Sequence, residues 1–395
     1  MKLGLLGTAP ELEGVVSLAR QRGDTIVRVP DPTPAAGTRP WEALLDEQSC
    51  AAVLVGATGW CEERAEAVRG LVQAGRTLLV AHPLGLSMLW AFEIDMIRRD
   101  SAARLVPFLP DRLHPAIATL HRDIEAGLAG AAPLGAVESV SLERTLPERT
   151  RETVLAALAR DADLVRVLVG DPARLATLGA ASPDDAWPTL AVGFSGPGLV
   201  PVRWQVLPGA ASRLAIVVQH AGGAVRLVAP ADGTPWTLDD APVAAFDRDQ
   251  VMLDLLDRTI RGAPAVAGTG PAPAGWPDAA RAIELADTVP RSLAKGRAVD
   301  LHREEFSELG TFRGTMASLG CGLVLLALVV VVLATLVAGI ANEFDWEFGR
   351  ALTATWPVVI LGVLGLFLLL QLLPWLVGAG PPTDRDPPPP EPPTR

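Results

Sequence analysis

The sequence contains no tyrosine, three cysteines and five histidines among its 395 residues. With no phenol available, no mechanism in this chain uses a phenolic acid. Cys50, Cys61 and Cys321 fall into no Cys-x-x-Cys spacing. They support neither a zinc site nor a disulfide framework, and lone thiols favour a reducing compartment. Basic clusters are lacking too. The formal net charge is −11, and no run of Lys and Arg of the kind that tracks phosphates occurs anywhere. Nucleic acid is therefore not expected as a partner, because counterion release needs a basic face. There is no phosphate-cradling P-loop, and Gly193-Phe-Ser195-Gly-Pro197 departs from a nucleophile elbow, with proline where the last glycine is needed. Met1 to Ala9 is apolar but halts at Pro10-Glu11, too soon for the hydrophobic region of a signal peptide. It reads instead as a buried first strand, which keeps the body on the cytoplasmic side.

Charge is also missing from two long stretches near the C-terminus. Gly314 to Asn342 and Ala351 to Thr383 contain no Asp, Glu, Lys or Arg. Spanning a hydrocarbon core takes about 20 apolar residues, and each stretch exceeds that. Leu, Val and Ile near a helix centre each favour insertion by about 0.3–0.6 kcal/mol, so the dense run from Leu319 to Ile340 sums to several kcal/mol. Core helices rarely lack a polar face altogether, which makes a transmembrane hairpin the expected reading. Lys295, Arg297, Arg303 and Arg313 precede the first span and Arg385 and Arg395 follow the second, while the acidic loop between them holds only Arg350. The positive-inside rule then places body and tail in the cytoplasm, at the inner membrane of a cell. Trp346, Trp356 and Trp375 fall where an aromatic belt is expected, and Pro381 to Arg395 reads as a disordered proline-rich tail.

The first 110 residues alternate short apolar runs (Leu3–Leu6, Thr25–Val29, Ala51–Ala57, Thr77–Ala81, Leu105–Leu109) with amphipathic segments (Glu11–Arg22, Trp41–Asp46, Glu62–Ala74, Ser87–Arg99). Continuous apolar strands alternating with helices predict a Rossmann-like parallel sheet covered on both faces. Beyond Pro110 the rhythm changes. Helices are expected over Pro115–Gly127, Thr150–Val169, Asp247–Arg261 and Trp276–Ala294, with closely spaced strands between 136 and 227. That pattern predicts a second, α+β domain with a mostly antiparallel sheet. The expected organisation is 1–110 dinucleotide-binding-type domain, 111–312 substrate or oligomerisation domain, 313–378 membrane hairpin and 379–395 tail.

Several segments of the body resemble the Gfo/Idh/MocA family of NAD(P)-dependent oxidoreductases, and they come in the family's order. Lys2-Leu-Gly-Leu-Leu-Gly7 is similar to its first βα unit, and Ala51-Ala-Val-Leu-Val-Gly-Ala-Thr58 to its third strand. Leu78-Leu-Val-Ala-His-Pro-Leu84 stands where the family has a strand ending in Glu-Lys-Pro. Arg112-Leu-His-Pro115 and Gly127…Leu134-Gly135-Ala-Val137 resemble the passage to its second domain. Asp161-Ala-Asp-Leu-Val-Arg-Val-Leu-Val-Gly-Asp-Pro172 resembles its substrate-domain helix, and Trp276 to Arg297 its last helix. The resemblance implies a nicotinamide cofactor, NAD or NADP, with Gly7, Thr8, Ala9, Asp31, Ala57, Thr58 and Pro83 as the cofactor-binding positions. It implies a sugar-like or polyol substrate and association with a second copy of the chain.

The departures from the family fall on the chemistry. Backbone amides approach a pyrophosphate most closely where glycine leaves out the Cβ, yet here the second and third glycines are Ala9 and Leu12. Pro10 removes one amide donor, and Glu11 puts a negative charge where a phosphate is to sit. Dinucleotide binding is thus expected to be weak or lost. His82 replaces the family's catalytic lysine; an imidazole can pass a proton but supplies no fixed positive charge. Arg160 stands where a histidine is common, with Asp163 three residues on, a spacing that also suits a plain ion pair. Two readings follow. In one the chain is a working oxidoreductase, with His82 as acid/base, Asp163 as its helper and Arg112 a further catalytic candidate. In the other it is a non-catalytic module that recruits a partner to the membrane. His114 and His121 lie two turns apart on an expected helix but lack further ligands, so no metal site is expected.

Overall fold

Lys2–Leu6 (β1) is buried at every position after Lys2, as a strand covered on both faces must be. The chain continues through Glu13–Gln21 (α1), Thr25–Val29 (β2), Ala52–Val55 (β3), Glu62–Gln73 (α2), Thr77–Ala81 (β4), Met88–Arg99 (α3) and Arg104–Phe108 (β5). In this computed structural model the five strands form one parallel sheet in the order β2-β1-β3-β4-β5. The edge strand β2 is largely exposed, whereas all four residues of β3 are buried. The Ser87 hydroxyl accepts from the Trp90 amide and starts α3. Gly75, past α2, has φ 74°, the left-handed conformation expected of a helix-ending glycine.

The second layer is built from Pro115–Leu128 (α4), Val137–Leu146 (β6), Arg151–Val169 (α5), Arg174–Gly179 (β7), Leu190–Ser195 (β8), Val202–Pro208 (β9), Arg213–His220 (β10), Gly223–Pro230 (β11), Thr237–Leu238 (β12) and Ala241–Pro242 (β13). Then come Arg248–Ile260 (α6), Trp276–Lys295 (α7) and Val299–Asp300 (β14). The nine strands run in the order β13-β12-β11-β10-β6-β9-β8-β7-β14, antiparallel except for β6 beside β9. One sheet face packs on α4, α5 and the second half of α7, around Leu142, Phe194, Trp204 and Ile216. The mostly antiparallel second sheet matches the expectation.

The chain order does not follow the boundary between the sheets. Met252, Leu253 and Leu256 of α6 join the core of the first sheet on its α1 side. In α7, Trp276, Ala279, Ala280 and Ile283 pack into the first core, whereas Ala282, Leu285, Ala286 and Val289 pack into the second. One helix therefore carries two apolar stripes and belongs to both layers. Two local expectations differ. Trp41–Asp46 is not a full helix but a 3-10 turn over Pro40–Leu44. β7 was not expected, because Arg-Leu-Ala-Thr-Leu-Gly buries only Leu175, and the strand owes its existence to pairing with β8 and β14.

The structure describes residues 1–30, 39–46, 48–179, 187–196, 200–263 and 270–301, together with 329, 332, 333, 335 and 336. Contacts divide the chain into Met1–His302 and Arg303–Arg395. Of the latter unit, the five described residues are helical. Among the described residues no helix is long and apolar enough to cross a membrane. Apart from those five residues, the expected hairpin and the proline-rich tail lie outside the described residues, as does Asp31.

Candidate functional site

In an open parallel sheet, ligands gather at the carboxyl ends of the strands where the strand order reverses. Here that point lies between β1 and β3, and three side-chain arrangements close it. The Glu11 carboxylate accepts from the Ala57 amide and, at 3.1 Å, from the Thr58 hydroxyl, tying the turn after β1 to the turn after β3. Arg64 of α2 is fully buried and donates to the carbonyls of Gly56 and Thr58 at 2.7 and 2.8 Å. Its guanidinium fills the space that a Cβ on Gly7 needs, 2.6 Å away, and Gly7 has φ 73°. Gly56 in turn lies so close to the Thr8 carbonyl and Ala9 that a Cβ there meets Ala9 Cβ at 2.6 Å. Both glycines thus make room for the protein itself. With Glu11 holding the donors and Pro10 opening the 3-10 turn Pro10–Leu12, these residues do not fit a pyrophosphate.

Below the closed crevice, between the two layers, lies a cleft of about 390 Å³. Its walls include His82, Pro83, Arg112, Arg160, Asp163 and Arg248. His82 directly follows β4, and its peptide bond to Pro83 is cis. Its Nε2 donates to the Ala159 carbonyl of α5 at 3.4 Å, and the side chain is buried. Burial pushes the imidazole down to about 3, with repulsion from Arg160 adding to it and the Ala159 carbonyl opposing it. A histidine held there lines the cleft, as its place after β4 predicts, but it stays neutral at pH 7 and is a poor proton acceptor.

Asp163 does not pair with Arg160. Its Oδ1 accepts from Arg112 Nη1 at 2.9 Å, which places Arg112 of the turn Pro110–Leu113 against α5. The helical spacing made the Arg160 pair plausible, but the guanidinium from outside the helix reaches the carboxylate. Asp278, in the first turn of α7, lies 3.6 Å from Arg112 Nη1 and 3.1 Å from Arg166 Nη1. Asp163 Oδ2 is buried without a hydrogen-bond partner, as is Arg112 Nε. Burial raises the Asp163 carboxyl to about 6, against the attraction of Arg112 and Arg166. Arg160 is exposed to the cleft, and Arg248 lies over the Phe108 ring at 5.4 Å.

Of the positions inferred from the resemblance, His82, Pro83, Arg112, Asp163, Ala57 and Thr58 converge on this cleft. Gly7, Thr8 and Ala9 do not line it; they lie in the closed crevice beside Gly56 and Arg64. His114 and His121 are not brought together. His114 caps α4 and stacks on Trp236 at 3.8 Å, whereas His121 meets Glu125 at 3.4 Å. Sequence reasoning missed Arg64 and Arg248, since an arginine inside an amphipathic helix reads as solvated surface. It also missed the structural role of Asp161, whose carboxylate binds Arg144 of β6 and, at 2.8 Å, Trp204 Nε1 of β9.

No protein-family model matches the chain, and no curated protein matches it. Solved structures do. The WlbA dehydrogenase from Bordetella pertussis, in complex with NADH and UDP-GlcNAcA, superimposes with a TM-score of 0.59 at 16% identity, covering 77% of this chain and 99% of that one. The fold is that of Gfo/Idh/MocA-type dehydrogenases. Levoglucosan dehydrogenase, in complex with NADH and levoglucosan, gives 0.56 at 13% identity over 77% of this chain and all of its own. An oxidoreductase from Agrobacterium radiobacter, in complex with NAD+, L-tartaric acid and magnesium, gives 0.55 at 14% over 76% and 98%. At these identities the likeness extends to the Gfo/Idh/MocA-type fold and not to the chemistry of individual residues.

Proposed function

We propose that this chain is a membrane-anchored small-molecule binding module on a dehydrogenase fold, whose dinucleotide crevice has been given over to its own side chains. The observation that carries this reading is the Glu11 carboxylate bound across β1 and β3 at the Ala57 amide and the Thr58 hydroxyl. An anionic diphosphate at that place displaces a carboxylate already satisfied by the local donors and is repelled by it if it stays. The lysine chemistry of the family has no counterpart either, for the only lysines are Lys2 and Lys295, neither of which lines the cleft. The cleft itself persists, with charged groups converging on it, and this supports a polar small ligand. UDP-GlcNAcA, levoglucosan and L-tartaric acid, bound by the structural neighbours, make a sugar-like or hydroxylated compound the class to try. The two uncharged stretches within 314–342 and 351–383 support an anchor that holds the body at the inner face of the membrane.

The test is calorimetric titration of NADH and NADPH into the full-length protein in detergent. Affinities in the millimolar range or weaker agree with the proposal. A Kd of about 1 µM for either, equivalent to roughly −8 kcal/mol, overturns it. The second reading, a working NAD(P) oxidoreductase, is favoured by Asp163, because a carboxyl raised to about 6 lies in the range useful for moving protons near neutrality. Micromolar binding selects that reading.

A further inference from the structure

Within the cleft the two guanidiniums of Arg160 and Arg248 have no hydrogen-bond or ion-pair partner among the described residues. They reach it from different elements, Arg160 from the middle of α5 and Arg248 from the first turn of α6. Arg160 feels the positive field of Arg144 and Arg248, set against Asp161 and Asp111. Arg144 and Asp161 form a pair of their own, and Asp249 attracts Arg248 from the outer side of α6, which leaves Asp111 as the carboxylate on the cleft side facing the two guanidiniums. The other carboxylates of the cleft are committed or distant. Glu11 is bound at Ala57 and Thr58, and Asp163 is paired through Oδ1 with Arg112. Glu152 stands eight residues before Arg160 on α5, about 12 Å along the helix at about 1.5 Å per residue.

A second, independent feature faces the same space. Asp163 is 1% exposed, and its Oδ2 lacks any hydrogen-bond partner. A buried carboxylate oxygen left unbonded is costly, and a hydroxyl group satisfies it in either protonation state. Residues three apart on a helix lie about 5–6 Å from one another at Cβ, so the Arg160 guanidinium and the Asp163 oxygen meet different parts of one small molecule.

We propose that the cleft binds a small hydroxylated carboxylate, its carboxylate held by Arg160 and Arg248 and one of its hydroxyls on Oδ2 of Asp163. This rests on the reading of the cleft as a ligand site and adds its chemical class. Arginine suits the role because its planar fork matches a carboxylate, and two such donors neutralise the repulsion that Arg160 and Arg248 exert on each other.

The experiment titrates glucuronate, glucose and glucose 6-phosphate into the full-length protein in detergent. Glucuronate is expected to bind at least about tenfold more tightly than glucose. Arg160→Gln and Arg248→Gln are each expected to weaken glucuronate by about tenfold or more while leaving glucose unchanged, and Arg160→Lys to recover part of the loss. Equal affinity for glucuronate and glucose overturns the anion site while leaving the cleft a ligand site. Tighter binding of glucose 6-phosphate overturns the carboxylate in favour of a phosphate. Binding of none of the three overturns this proposal together with the reading beneath it, and melting curves of the variants within a few degrees of wild type exclude misfolding as the cause of any loss.

Discussion

Removing the Glu11 carboxylate is expected to reopen the dinucleotide crevice in part. Glu11 holds the Ala57 amide and the Thr58 hydroxyl, two donors that an incoming anion otherwise finds free. A carboxylate about 5 Å from a phosphate charge repels it by about 3 kcal/mol at an effective dielectric constant of about 20. Glu11 is only partly buried, so screening reduces this to about 1–2 kcal/mol, a change of roughly five- to thirtyfold in affinity. Glu11→Gln removes the charge but keeps an oxygen able to accept from Ala57, whereas Glu11→Ala also frees the donors. The expected order of NADH affinity is therefore wild type, then Gln, then Ala, with Ala9→Gly adding to the last by removing the Cβ that occupies the space beside Gly56. Calorimetry on the three variants reads the series directly. A flat series, with no variant binding better than wild type, refutes the electrostatic account and shifts the obstacle to the buried Arg64.

The remaining predictions concern stability, chemistry and placement. In the folded state His82 is pushed down to about 3, so the unfolded chain takes up its proton first; stability is lost as pH falls through about 6.5, by on the order of 3 kcal/mol by pH 4. Asp163, raised to about 6, works in the opposite sense between about 6 and 4, since there the folded chain holds the extra proton. Denaturant titrations at pH 7 and pH 4 should thus show a smaller acid loss in His82→Asn, and an unchanged loss removes His82 from the balance. Asp161→Ala leaves Arg144 without its carboxylate and Trp204 Nε1 without an acceptor, a loss of about 3–5 kcal/mol by chemical denaturation; a loss below about 1 kcal/mol contradicts the buried pair. Truncation before Arg313 should yield a soluble, cooperatively folding body, and aggregation under mild conditions argues against it. A reporter after Arg395 should read cytoplasmic; a periplasmic reading reverses the topology.

The first sheet was legible because its strands are continuous apolar runs and its helices amphipathic, so period alone separated them. The place of His82 at the end of β4 followed from the same pattern. What sequence could not carry was the partner of each charge. Asp163 met Arg112 across 51 residues rather than Arg160 three residues away, because side-chain pairing depends on which helix faces which turn. Glu11 was read as a charge in the phosphate position, and its two donors on the turn after β3 appeared only when both loops were in place. The nine-stranded sheet was legible in type but not in extent, since β7 and β14 bury little and exist through their neighbours.

The double-faced helix α7 has a mechanical consequence. Because consecutive turns of one rod are cemented into both cores, the layers cannot swing apart like jaws without tearing Ile283 from one interior or Leu285 from the other. Burying one such side chain stabilises by about 1.5–3 kcal/mol, and several act together. The walls of the cleft are therefore preset, and a ligand enters a mould already cast, with little strain to spread through the body on occupancy. Melting of one layer drags the other with it, so calorimetry of the body should show a single transition in which ligand raises the whole peak rather than splitting it.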